Sequence, residues 1–128
     1  MRGNNNFSII NKTKSKLPRL PFLSIKDAIL GLDYELSVSC ISTQNQKKLN
    51  KTYRQKDTTT NILSFPLSKN SGEITFDLKK VEKDSPNFNM NYSTFLKFLF
   101  IHGLLHLKGY EHNATMERQE KKYLKQFS

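Results

Sequence analysis

Residues 95–107, FLKFLFIHGLLHL, form the longest apolar run of the chain. They read as one long apolar helix. Lys97 interrupts the run, which also falls short of the roughly 20 residues needed to cross a bilayer. Two histidines, His102 and His106, stand four positions apart within it, and the remaining histidine, His112, follows a Gly-Tyr pair. On an α-helix, residues i and i+4 lie one above the other on the same face. Two ring nitrogens can therefore meet at a point roughly 2 Å from each, the distance a zinc ion takes. A ligand from the next helical turn would face away, so the chain has to reverse first. Gly109 suits that reversal because glycine enters left-handed geometry without a Cβ clash. His112 then returns to complete a facial trio and leaves a fourth position for water. A lone histidine on an apolar helix face is usually a core residue with one hydrogen bond. Three at the spacing H-x3-H-x5-H, with a glycine at the bend, read instead as a catalytic metal site with an open position.

The rest of the chain is expected to supply one domain, residues 1–128, of α+β class with a mixed sheet of about four strands packed against helices. FSIINKT (7–13) is a first strand, and SIKDAILGLD a helix capped by Ser24 with Ile25, Ala28, Ile29 and Leu32 along one face. ELSVSCIS alternates Leu36, Val38 and Cys40 with serines, the period of a half-buried strand. A polar helix capped by Thr43 runs through Tyr53. NILSFPL is a short strand that Pro66 confines to an edge or a strand end, and GEITFDL is a fourth strand. KKVEKDSPNFNMN is expected to be loop, after which Ser93 or Thr94 opens the long helix and Gly109 closes it. The last helix turns Met116, Tyr123, Leu124 and Phe127 inward.

Charge narrows the partners. Lys and Arg number 21 against 11 Asp and Glu, a formal net charge of +10. That balance favours an anionic partner, nucleic acid or an acidic membrane surface. A plain bias toward Lys and Asn is the lesser alternative, kept open because the basic residues form no single dense run. Cys40, the only cysteine, rules out an internal disulfide and reads as a buried thiol. The first twenty residues hold no apolar core of signal-peptide length, which points to a cytoplasmic protein with no membrane partner.

The histidine spacing is also that of metzincin proteases, H-E-x-x-H-x-x-G-x-x-H. Every histidine and the glycine match, but Gly103 stands where the protease carries its general base. A peptidase mechanism lacks its proton acceptor here. Three neutral imidazoles leave a divalent ion its full +2, which favours an anionic substrate and lowers the pKa of bound water from about 15.7 towards 7. Two-metal nucleases need several acidic ligands, and no clustered Asp/Glu set is present. One divalent metal acting on a phosphodiester is the economical reading, with zinc as first choice and nickel, copper or iron also suited to imidazole.

HGLLHLKGYEH together with LNKTYRQKDTTTNILSFP resembles the YbeY family of bacterial metal-dependent endoribonucleases. The family pattern is H-G-x-L-H-L-x-G-Y-D-H, preceded by L-N-x-x-[YF]-R-x-K-x-x-x-T-D-V-L-S-F-P. The likeness covers roughly residues 35–125, and GEI at 72–74 fits the family's glycine-acidic-isoleucine strand. The resemblance implies a zincin-like fold and cleavage of single-stranded RNA. It further implies roles in 16S rRNA 3′-end maturation and ribosome quality control, with rRNA and the small ribosomal subunit as partners. It carries the metal ligands over to His102, His106 and His112, and the family's functionally important arginine to Arg54. These four are the expected catalytic residues. A guanidinium is always charged and can hold two phosphate oxygens at once, which suits Arg54 to the transition-state phosphate. Ser64 and Lys56 are further candidates for substrate contact. Lys47, Lys48, Lys51 and Lys56 would add RNA affinity that falls with salt. Two positions depart from the pattern: Asn61 replaces an aspartate and loses its charge, and Glu111 replaces another and keeps it. Two rival readings remain, a degenerate metalloprotease and an RNA-binding ribosome-assembly factor with a structural metal.

Overall fold

A computed structural model of the chain describes residues 6–54 and 60–128, with only the backbone of Arg54. Four strands, β1 (Phe7–Asn11), β2 (Glu35–Cys40), β3 (Ile62–Ser68) and β4 (Ser71–Phe76), form one sheet in the order β1-β2-β4-β3. β1, β2 and β4 run parallel and β3 is antiparallel to β4, so the sheet is mixed as expected. The period of two in ELSVSC is realised directly: Leu36, Val38 and Cys40 are buried and the residues between them are not. β3 is an edge strand, and Pro66 sits beside a register shift near its end, the kind of position where sheets tolerate proline.

Five helices accompany the sheet: α1 (Phe22–Leu30), α2 (Thr43–Arg54), α3 (Leu78–Asp84), α4 (Tyr92–Lys108) and α5 (Ala114–Gln126). The apolar run lies in α4, whose Phe95, Leu96, Phe100, Ile101 and Leu104 are fully enclosed. Burying side chains of this size stabilises by about 1.5–3 kcal/mol each, which makes α4 the centre of the core. α1 packs against it, with the Phe22 ring set edge-on to Phe100 at 5.1 Å. α5 packs against it too, with Met116 buried and Tyr123, Leu124 and Phe127 against the core. Cys40 is buried, and that burial pushes its thiol up to about 11, which leaves it inert. Among the described residues no helix is long and apolar enough to cross a membrane.

Several local expectations are corrected. Of the stretch 79–91 expected to be loop, residues up to Phe88 are helical, α3 being followed by a 3-10 turn (Ser85–Phe88), and Leu78, expected at a strand end, opens α3. Only Leu78 and Val81 of α3 are buried, too few apolar positions to show a helical period, and its start is fixed by the Asp77 carboxylate accepting from the Lys80 N–H at 3.2 Å. α1 begins straight after Pro21 without a side-chain cap, so Ser24 lies inside its first turn. Ser42 rather than Thr43 caps α2, its hydroxyl accepting from the Asn45 N–H at 3.1 Å. Asn91 rather than Ser93 or Thr94 caps α4, accepting from the Thr94 N–H at 2.8 Å. In α2 and α4 a capping residue one to three positions earlier takes the role, because the cap must stand outside the first helical residue.

Candidate metal centre

The site is built at the carboxyl end of α4. Gly109 takes φ 109°, a left-handed conformation that costs a glycine nothing. Its N–H bonds to the His106 carbonyl and the Tyr110 N–H to the Leu105 carbonyl, each at 3.0 Å, the paired closure that ends a helix and turns the chain back. Asn113 then caps α5 through the Met116 N–H at 3.0 Å. Between these two fixed points His112 is brought over the face that carries His102 and His106.

The three rings converge. Their centroids lie 4.6 Å (His102–His106), 4.9 Å (His102–His112) and 4.6 Å (His106–His112) apart. One nitrogen from each can be chosen so that all lie within 4.8 Å of one another. The Nε2 atoms of His102 and His106 are 3.1 Å apart. Two imidazoles bound tetrahedrally to zinc at about 2.0–2.1 Å would place their nitrogens roughly 3.3 Å apart, so the pair is set close to the spacing a cation requires. His106 has its pKa lowered from the ordinary 6.5, first by burial and then by the proximity of His102 and His112, while hydrogen bonding to the Tyr110 backbone and the Glu120 charge act the other way. The net effect keeps His106 neutral at neutral pH, the form that binds metal.

Glu120 contributes a group that sequence reasoning missed. Its carboxylate meets Nδ1 of His102, the nitrogen opposite the one that faces His106. Such a contact fixes the ring and its tautomer and leaves Nε2 free to ligate. Glu120 itself is 8 % exposed. The signal was present: Glu120 is the one carboxylate on the face of α5 that carries Met116, Tyr123 and Phe127. The donor set, three imidazoles with a buried carboxylate behind one of them, fits a divalent cation, and among the described residues no acidic side chain joins the three as a ligand. Glu111, near in sequence, is exposed and belongs to the bend.

Gly103 has a physical role of its own. A Cβ there would stand 2.8 Å from Ser64 Oγ and 2.9 Å from Ile62 Cδ1, inside contact distance. The glycine at the protease's general-base position thus lets β3 lie directly on α4, with Ser64 Oγ 3.4 Å from the Gly103 carbonyl. Ser64 and the three histidines consequently line one open cleft of about 1040 Å³. Arg54 is the last residue of α2, directly after Tyr53, which lines the same cleft; its side chain lies outside the described part of the structure. Lys56 lies outside the described residues altogether. Lys47, Lys48 and Lys51 are exposed on α2. Asn61, at the cleft edge, donates from its amide to Asp84 at 3.0 Å.

Comparison with known proteins gives a consistent picture. The family described as Endoribonuclease YbeY matches residues 8–128. A protein of that description from Phytoplasma mali (strain AT) is 48% identical, with 60% of this chain and 54% of that protein aligned. Another from Alkaliphilus metalliredigens is 34% identical over 69% of this chain and 64% of its own length. The chain thus spans less than two thirds of the length of these two relatives, although one from Clostridium botulinum (strain Loch Maree / Type A3), 27% identical, is aligned over 97% of this chain and 93% of its own. The solution structure of TM1509 from Thermotoga maritima superposes with a TM-score of 0.66 at 28% identity, covering 94% of this chain and 88% of that one.

Proposed function

The chain belongs to the endoribonuclease YbeY family, and we propose that it is a metal-dependent endoribonuclease that cuts single-stranded RNA, with 16S rRNA 3′-end maturation and ribosome quality control as its setting. The observation that carries this reading is the convergence of His102, His106 and His112 in an open cleft, backed by Glu120. The three imidazoles would hold one divalent cation, with zinc the first choice for an all-nitrogen set of this size. A cation bound there supplies Lewis acidity and a nucleophile at neutral pH. Glu120 orients His102 and keeps its proton on Nδ1. Arg54 stabilises charge on the transferred phosphate, which water alone would leave uncompensated in a cleft with apolar walls. Exposed Lys47, Lys48 and Lys51, with Lys56, add sequence-independent attraction for the RNA backbone, and the small ribosomal subunit in the cytoplasm is the partner this implies.

Gly103 argues against a protease, since the position of the general base carries no side chain. An open three-ligand set argues against a purely structural metal, which would take a fourth protein ligand. The test is elemental analysis of the purified protein with a cleavage assay on single-stranded RNA. His106→Ala is expected to abolish cleavage and leave salt-dependent RNA binding in place. Cleavage by that variant in metal-stripped buffer would overturn the mechanism.

A further inference from the structure

Five large apolar side chains are strongly exposed among the described residues, and three of them, Tyr53, Leu67 and Phe88, line the histidine cleft. A soluble domain scatters such residues; gathering them around one cleft marks a binding surface. The aromatic ones are also supported from behind. Tyr53 is 65% exposed with its ring held edge-on to Phe65 at 5.1 Å. Phe88 is 53% exposed and stacks on Phe95 at 4.7 Å and 24°. From Phe95 the rings continue to Phe98, nearly parallel at 16°, and on to His102 at 6.3 Å. A chain of ring contacts therefore leads from Phe88 at the surface, through the enclosed Phe95, to the metal centre.

Charge says which part of a ligand these walls address. Although the chain carries +10 overall, no Lys or Arg is among the described residues that line the cleft, while Glu73 and Glu120 are. The described walls therefore offer ring faces rather than cationic groups, and phosphate charge is left to the metal centre and to Arg54. The flat, uncharged faces of nucleobases suit such walls, and base–aromatic stacking tolerates any sequence because every base has a π-face. Resting on the nuclease reading above, we propose that Tyr53, backed by Phe65, and Phe88, backed by Phe95, are base subsites that take unstacked nucleobases of single-stranded RNA beside the phosphate presented to the histidines. A duplex keeps its base faces stacked and paired, so the same subsites supply selectivity for single strands.

The test compares two labelled RNA octamers of equal charge, oligoadenylate and its abasic counterpart, by fluorescence anisotropy with the metal-loaded full chain. With two subsites, wild type is expected to bind the base-bearing strand at least about 30-fold more tightly at the same salt. Tyr53→Ala and Phe88→Ala should each cut that ratio, Tyr53→Phe should preserve it, and Phe88→Leu should lose it while keeping an apolar contact with Phe95. A ratio of one for wild type, or ratios unchanged in the alanine variants, would overturn the subsites and leave the aromatics to a protein partner. His106→Ala separates this result from the nuclease reading, because it should keep the ratio and lose cleavage. Wild type that shows the ratio and cuts no RNA would sink the nuclease reading and leave the subsites standing.

Discussion

The two walls of the cleft are made in different ways. The wall of α4, its glycine turn and α5 carries the three imidazoles and Glu120, each held by helix geometry, a closed turn or a hydrogen bond. The wall of β3 and the end of α2 carries Ser64, Phe65, Tyr53 and Asn61, drawn from an edge strand, the residue before it and a helix terminus. Exposure does not separate the two walls, since His102 and His106 are half-buried and His112 is exposed; the difference lies in how the side chains are fixed. One wall is built to hold atoms within fractions of an ångström, as ligation demands. The other offers surface, which tolerates substitution. The difference predicts that changes in the first wall act on metal occupancy, and changes in the second on packing or substrate affinity.

The largest effect should come from His106→Ala. Two imidazoles remain, so the purified variant should lose its metal as well as its activity, with metal content by elemental analysis as the measurement. Full occupancy would show that the three rings do not share an ion. Glu120→Gln comes next. It keeps a side chain of the same shape against His102 Nδ1 and removes only the charge, and losing such a partner typically lowers metal affinity about 10- to 100-fold. Chelator competition reads this directly. Unchanged affinity would mean that Glu120 merely fills space at the α4–α5 contact, and the first wall would be no more exacting than the second.

The same contrast explains what could be read from the sequence. The ligand trio was legible because it depends on helical periodicity and one glycine, all within residues 102–112. The sheet strands were legible from alternation, as in Leu36, Val38 and Cys40. α3 was not, since only Leu78 and Val81 turn inward and no period emerges from two residues. Glu120 was missed because its role exists only when α5 folds back on α4, a contact between residues 18 apart. The aromatic wall was missed for a similar reason: Tyr53, Phe65 and Phe88 come from three separate elements, and any one of them alone reads as an ordinary core residue.

Gly103→Ala tests the seam where the two walls meet. The new Cβ would stand 2.8 Å from Ser64 Oγ and 2.9 Å from Ile62 Cδ1. Overpacking of this kind costs about 1–3 kcal/mol, and alanine returns up to about 1 kcal/mol in helix propensity. Both obstructing atoms can swing aside, so a net loss near 1 kcal/mol is expected in denaturant unfolding. Adding Ser64→Ala should recover part of it. A variant as stable as wild type would show that β3 yields to α4 without strain, and that glycine is held there for another reason.

The smallest effect falls on the tolerant wall. Where the resemblance expects aspartate, Asn61 donates to Asp84, which also accepts from Lys80 Nζ at 3.0 Å. Asn61→Asp would set two carboxylates within hydrogen-bond range and raise the pKa of one of them. A carboxyl whose folded pKa lies above its unfolded value of about 3.9 binds its proton more tightly in the folded state. The variant's deficit should therefore shrink toward pH 4, vanish below the unfolded value, and grow as pH rises through the raised folded pKa. Lys80 offsets part of the repulsion, so the deficit at pH 7 should stay below about 1 kcal/mol. Thermal unfolding at the two pH values measures it. A deficit that persists unchanged at pH 4 would be one of shape rather than charge, and position 61 would then belong with the exacting wall.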